Sequence, residues 1–379
     1  DQALTAFNQI ISTYDSSVYL ADAYVKLGLI YYQKGQDEKA LENCEKVVSK
    51  FPRTSSSQEA LALIEAIYVK NGEGGKYLDY IANIPNSNIR ITYQDSLLYE
   101  SALRKYRSGD CDAAMKGFDD YISRFSKSGF FLIHANYYKA ECANSKNQNA
   151  LAQKHYGYVA AQSTNEFSED AYFKLAESYF EERRYDRALP YYSQLERIAN
   201  SKDNFVAALV GQMRCNYALG NLSAAKKNAV DILPIENVDK AYLVEANLIL
   251  GKIHLKEGNL LSAEFSFDYV RKESKTEKGA EAQYLKCTIL FQQEKYKVCQ
   301  DEIFNLNDDF ASYEYWVVKG FVLLSDVYVA KKDYFNARAT LKSILDFYEG
   351  DQTIIDECNT KLKRIDELEK GKKVDSITE

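Results

Sequence analysis

Proline is nearly absent from this chain, with four in 379 residues. Proline breaks helix interiors, so a folded chain this poor in it is expected to be mostly helical. Histidine is scarcer still. The three present, His134, His155 and His254, are far apart in sequence. No HExxH, GxSxG or glycine-rich phosphate loop occurs, so no catalytic residue, metal or cofactor is expected. No apolar run approaches the roughly 20 residues that span a bilayer, so no membrane span is expected. No basic stripe exists and the formal net charge is −7, which argues against a nucleic-acid partner. The seven cysteines are scattered and form no CxxC, which argues against a zinc ribbon and against a disulfide framework. The chain begins at Asp1 without a signal-like segment. It reads as a piece of a longer product, so a leader or lipid anchor upstream stays open.

What is present is a repeat. The segments YVKLGLIYYQKGQDEKALENCEKVV (24–48), YFKLAESYFEERRYDRALPYYSQLE (172–196) and NLILGKIHLKEGNLLSAEFSFDYVR (247–271) share one layout. With the first small site as anchor, the register runs Gly28, Glu65, Ala102, Ala140, Ala176, Met213, Gly251, Cys287 and Ser325. Successive anchors lie 36 to 38 residues apart, a period that random apolar patterning does not hold. Twelve residues on stand Ala40, Tyr77, Ala114, Ala152, Ala188, Ala225, Ala263, Cys299 and Ala337. Nineteen on, every site is aliphatic or tyrosine, from Val47 to Ile344. Seven on, six repeats carry Gly or Asn, which suit the left-handed residue that ends a helix.

Each unit therefore reads as a helical hairpin. Small residues on both helices let the backbones approach, and bulky neighbours fill the groove to the next hairpin. Glu65 and Tyr77 break the small-site rule, so the second unit, which also holds GEGGK, is expected to be distorted. Residues 1–17 fit the second helix of a truncated repeat, and 18–348 hold nine hairpins. A polar capping helix follows over 349–370, with a disordered tail over 371–379.

The pattern resembles the tetratricopeptide repeat. The matches are Tyr24, Leu27, Gly28, Tyr31, Ala40 and Pro52 in the first hairpin, and Tyr172, Leu175, Ala176, Tyr179, Tyr185 and Ala188 in the fifth. The period exceeds the usual 34 residues, and the extra length falls in links such as SKFPRTSSSQEAL (49–61). Such links look like those of bacterial cell-envelope tetratricopeptide proteins, the outer-membrane assembly lipoproteins and Tol-Pal-associated proteins among them. The resemblance implies an all-α, right-handed α-solenoid, a superhelix of about nine hairpins. It implies that the first helices line a concave face that binds protein or peptide partners.

Two columns of that face carry aromatics. Three residues before the anchor stand Tyr99, Tyr137, Phe173 and Tyr284; four after it stand Tyr32, Tyr106, Phe180, Tyr217 and Phe291. They are candidate partner contacts, because exposed aromatics dominate interface energetics. The competing reading is that they pack neighbouring first helices together. Candidate charge contacts are Glu141, Asp170, Glu177 and Glu181 in the middle of the array, then Arg214, Lys252 and Lys256. The Lys and Asn that clamp a chaperone carboxylate are absent: Val25, Leu29, Phe173 and Glu177 occupy those sites.

Two functions follow as expectations. One is a non-enzymatic protein-interaction scaffold of the bacterial cell envelope, periplasmic or associated with the outer membrane. The other is a cytoplasmic regulatory module attached to an enzyme or sensor domain. Cys287 and Cys299 replace the small pair where two helices touch in the eighth hairpin. They read either as reduced filler or as a disulfide pinning that hairpin.

Overall fold

The computed structural model describes residues 2–14, 16–85 and 90–375. Among these residues the chain forms twenty helices and no strand. The helices gather into two compact units, Asp1–Ser178 and Tyr179–Glu379. Sequence periodicity gives no sign of this division, because the anchor spacing runs through it unchanged.

Unit 1 opens with a lone helix, α1 (Gln2–Thr13). Four helix pairs follow: α2 (Leu20–Gln33) with α3 (Asp37–Lys50), α4 (Ser55–Lys70) with α5 (Gly74–Ala82), α6 (Ile91–Arg107) with α7 (Cys111–Arg124), and α8 (Leu132–Ser145) with α9 (Asn149–Ala160). The boundary between the units falls within α10 (Ser168–Glu181). Unit 2 continues with α11 (Tyr185–Ile198), then α12 (Lys202–Ala218) with α13 (Leu222–Ile232) and α14 (Lys240–Lys256) with α15 (Leu260–Glu273). It closes with α16 (Glu277–Gln292) and α17 (Tyr296–Phe310), α18 (Glu314–Ala330) and α19 (Tyr334–Phe347), and α20 (Gln352–Asp375). The closing helix runs past residue 370, where the sequence had suggested a disordered tail; residues 376–379 lie outside the described residues.

Within each unit, helices pack on their neighbours in sequence and on the helix two along. This is an α-solenoid, in which each hairpin hides its apolar face against the next. The register explains the burial. In eight second-type helices, all except α5, the sites twelve, sixteen and nineteen after the anchor are at most 7% exposed. Small anchors are required where the facing residue is large: a Cβ on Gly251 would run into the Phe267 ring. The turn seven after the anchor takes a left-handed backbone in all nine repeats. Gly35, Gly72, Gly109, Asn147, Gly220 and Gly258 do so, and so do Arg183, Glu294 and Lys332, with φ between 56° and 60°.

The second hairpin is distorted in a specific way. Its second helix, α5, has nine residues, the shortest of the described helices. Glu65 at the anchor accepts hydrogen bonds from Tyr77 and Tyr93, and Tyr77 is buried at 3% exposure. A carboxylate and two phenols thus stand there where two small residues stand elsewhere.

Of the two readings of Cys287 and Cys299, reduced filler holds and the disulfide alternative does not. Cys287 and Cys299 are free and fully buried, and the Cys299 thiol donates to the Cys287 carbonyl at 3.3 Å. Burial pushes the Cys299 thiol up to about 12, so it stays protonated as apolar filler. A disulfide instead joins Cys111, at the start of α7, to the buried Cys142 of α8, a Cα–Cα span of 5.2 Å. These positions are 31 residues apart and belong to consecutive hairpins, so hairpin register gave no reason to pair them.

Candidate protein-interaction surface

In unit 1 the first-helix columns converge on an aromatic cluster. Tyr137 stacks on Phe167 with ring centres 4.1 Å apart, and Tyr138 lies 5.4 Å from Tyr137 and 4.7 Å from Tyr106. Two acids are built into the cluster. The Tyr137 hydroxyl donates to Asp170 Oδ2 at 2.8 Å, and the Tyr156 hydroxyl donates to Glu141 Oε1. Burial pushes the Tyr106 phenol above its ordinary value, and the negative charge of Glu141 adds to the rise. Tyr106, Tyr137, Phe173, Glu141, Asp170 and Glu177 are all half-buried, so each keeps part of its surface for contact.

Tyr99 does not belong with them. It is 4% exposed and stacks flat on Phe131 at 4.3 Å, so it is core and has no surface to offer a partner. The aromatic column here follows the packing reading, since its ring fills the space between first helices. Tyr32, at the other end of the unit, is half-buried under the Lys70 ammonium, 5.0 Å from its ring centre.

In unit 2, two of the three expected basic contacts, Arg214 and Lys252, are paired with acids. Arg214 donates to both Glu245 oxygens, at 2.7 and 2.8 Å, and Lys278 adds a bond at 3.0 Å. Lys252 pairs with Glu281 at 2.6 Å. In both pairs the cation one after an anchor meets the acid six before the next anchor, so these charges tie consecutive first helices together. Burial would raise the Glu245 carboxyl, but Arg214 and Lys278 hold it below its usual value. Lys256 and Glu181 are exposed. Of the aromatics, Phe180 lies 5.3 Å from Tyr185, and Tyr217 packs half-buried on the core of α12–α14. Tyr284 sits between Trp316, 5.6 Å away, and the Lys319 ammonium, 5.2 Å away.

Phe291 occupies a different setting. With Val329 and Leu368 it lines a cavity of about 410 Å³ between α16, α18 and α20. Lys361 and Arg364 of α20 stand at its edge. Lys361 is held by Asp326 at 2.7 and 2.8 Å, while Arg364 is exposed. Sequence reasoning missed these two cations because it read α20 as a closing cap. The signal was available: α20 follows Ser325 at the distance of one more repeat.

Hairpins of this register, stacked without strands, define a helical-repeat protein that presents side chains from its first helices. The tetratricopeptide-repeat family model matches residues 22–54 and 170–198, which fall in the first and fifth hairpins. No curated protein matches the chain. Among solved structures, it is similar to a tetratricopeptide repeat protein from Parabacteroides merdae at 15% identity, covering 70% of this chain and 97% of that one, with a TM-score of 0.39. Yeast Tom70 aligns at 9% identity over 97% of this chain and 92% of its own, with a TM-score of 0.40. A signal-transduction ATPase with a tetratricopeptide repeat sensor from Pyrococcus horikoshii aligns at 15% identity and a TM-score of 0.49; the alignment covers 94% of this chain and 51% of that protein.

Proposed function

We propose that the chain is a non-enzymatic scaffold that binds partner proteins on its first-helix faces, in an oxidising compartment of a bacterial cell envelope. Tetratricopeptide repeats mediate protein–protein interaction, which supplies the general class. The observation that carries the binding reading is the unit 1 cluster, where half-buried tyrosines and two acids stand together on first helices. Aromatic side chains flanked by fixed carboxylates suit a partner segment that brings apolar and cationic groups. The compartment reading rests on the Cys111–Cys142 disulfide, since such bonds persist outside reducing compartments, and on the long links between hairpins.

The test is affinity capture from envelope extract with the wild-type chain and with Tyr106→Ala and Phe180→Ala. At least one retained protein should be lost with one of these variants while the helical circular dichroism is unchanged. Identical retained sets for all three chains would remove the first-helix faces as the binding surface. Peptide mapping without reductant on protein drawn from cells should show the Cys111–Cys142 link. Finding both thiols free would favour the cytoplasmic regulatory alternative.

A further inference from the structure

The first helices of unit 2 exchange charge in register. The cation one after an anchor meets the acid six before the next, as Arg214 meets Glu245 and Lys252 meets Glu281. At the following step the exchange breaks. Thr288 stands one after the anchor Cys287, and Lys319 stands six before the anchor Ser325. The Thr288 hydroxyl donates to the Leu285 carbonyl at 2.6 Å, and Glu281 is already taken by Lys252. Lys319 thus occupies an acid's site, and among the described residues it makes no ion pair. Asp351 feels its charge, but that carboxylate is held by the Thr353 amide and hydroxyl, at 2.8 and 2.7 Å.

What surrounds the Lys319 ammonium is aromatic. It stands 5.2 Å from the Tyr284 ring centre and 5.9 Å from that of Tyr315. Trp316 closes the group, 5.6 Å from Tyr284 and 4.9 Å from Tyr315. Its indole N–H donates to Glu277 at 3.3 Å, which orients the ring. Ring faces attract a cation without neutralising it, so the lysine is positioned and its charge stays available. Tyr315 is exposed, and Tyr284, Trp316 and Lys319 are half-buried, so the group has surface to offer. Unit 1 shows the opposite arrangement, with Glu141 and Asp170 set among tyrosines. The complement of the unit 2 group is a carboxylate for the ammonium, flanked by apolar side chains for the rings.

We propose that Lys319, framed by Tyr284, Tyr315 and Trp316, receives a carboxylate from an acidic, apolar-flanked segment of a partner protein. This rests on the reading of the first-helix faces as binding surfaces, and it names the partner chemistry in unit 2.

Trp316 is the one tryptophan of the chain, so its emission reports on this site alone. The probe is a short tryptophan-free peptide of glutamate and leucine, added to the intact chain. A saturable change in emission is expected. Lys319→Met should weaken binding by at least ~10-fold, as loss of a charge-assisted contact does, while Lys319→Arg should keep most of it. The same peptide with lysine in place of glutamate should give no saturable change. Methionine keeps an apolar stem against Tyr284, so the circular dichroism of Lys319→Met should match the wild type. No saturable response to the glutamate peptide, a response indifferent to Lys319→Met, or an equal response to the lysine peptide would each overturn the proposal. So would inorganic phosphate saturating the site at the same concentrations, because a small anion would then be the ligand. Tyr106→Ala and Phe180→Ala should leave this titration unchanged. Failure here therefore leaves the envelope capture result standing, and failure of that capture leaves this titration readable.

Discussion

Arg183, Glu294 and Lys332 stand in turns whose backbone suits glycine, with φ of 58°, 56° and 60°. A side chain in the left-handed region costs roughly 1–2 kcal/mol, part of which is returned when glycine's extra unfolded-state freedom is counted. Glu294→Gly should therefore raise stability by about 0.5–1 kcal/mol, read as an upward shift of the urea midpoint. These three turns were invisible in the sequence because hairpin closure imposes the conformation whatever residue sits there. His155 offers a second residue-scale test. It is buried at 4% exposure, and its Nδ1 lies 2.7 Å from Asn136 Oδ1. Burial, with help from Lys139 and Lys154, pushes its pKa down to about 4. The unfolded chain then takes up the proton first. Stability is fully present above the unfolded value of about 6.5 and is lost as pH falls from there towards about 4. The loss is on the order of 3 kcal/mol, and a His155→Gln chain should show a flatter urea midpoint across that window.

At the scale of the helix pair, what was legible was the packing pattern, and what was not was the electrostatics. Anchor, alanine and aliphatic sites were readable because a buried contact leaves a compositional trace at fixed spacing. Glu65 with Tyr77 was readable only as a broken rule, since a hydrogen bond across a hairpin has no such trace. Arg214 and Lys252 looked like a basic patch because their partners, Glu245 and Glu281, lie 31 and 29 residues away in sequence. Tyr99 was misplaced for a related reason: spacing names its face, and only the stacked Phe131 from the following link shows that the face is covered. Arg214→Met should cost roughly 2–3 kcal/mol, because it leaves the Glu245 carboxylate half desolvated with Lys278 alone. Adding Glu245→Met should recover much of that loss, and thermal unfolding of the three chains completes the double-mutant comparison.

At the scale of the whole molecule, each unit has its own way of holding together. Unit 2 divides its core into clusters that follow the hairpins, as a solenoid does. In unit 1 one cluster runs from Ala21 to Cys142 across several hairpins, and the cystine lies at its end. Reductant should therefore destabilise unit 1 by about 3 kcal/mol, the usual effect of opening a loop of this size, and leave unit 2 unchanged. Hydrogen exchange resolved by peptide, with and without reductant, checks this directly. The same cystine also sets a mechanical limit. A chain pulled from its ends hands tension across the Cys111–Cys142 bond, so the 31-residue span it closes never lengthens. Roughly 110 Å of contour, at about 3.5 Å per residue, stays folded out of the path of the force until the bond is reduced.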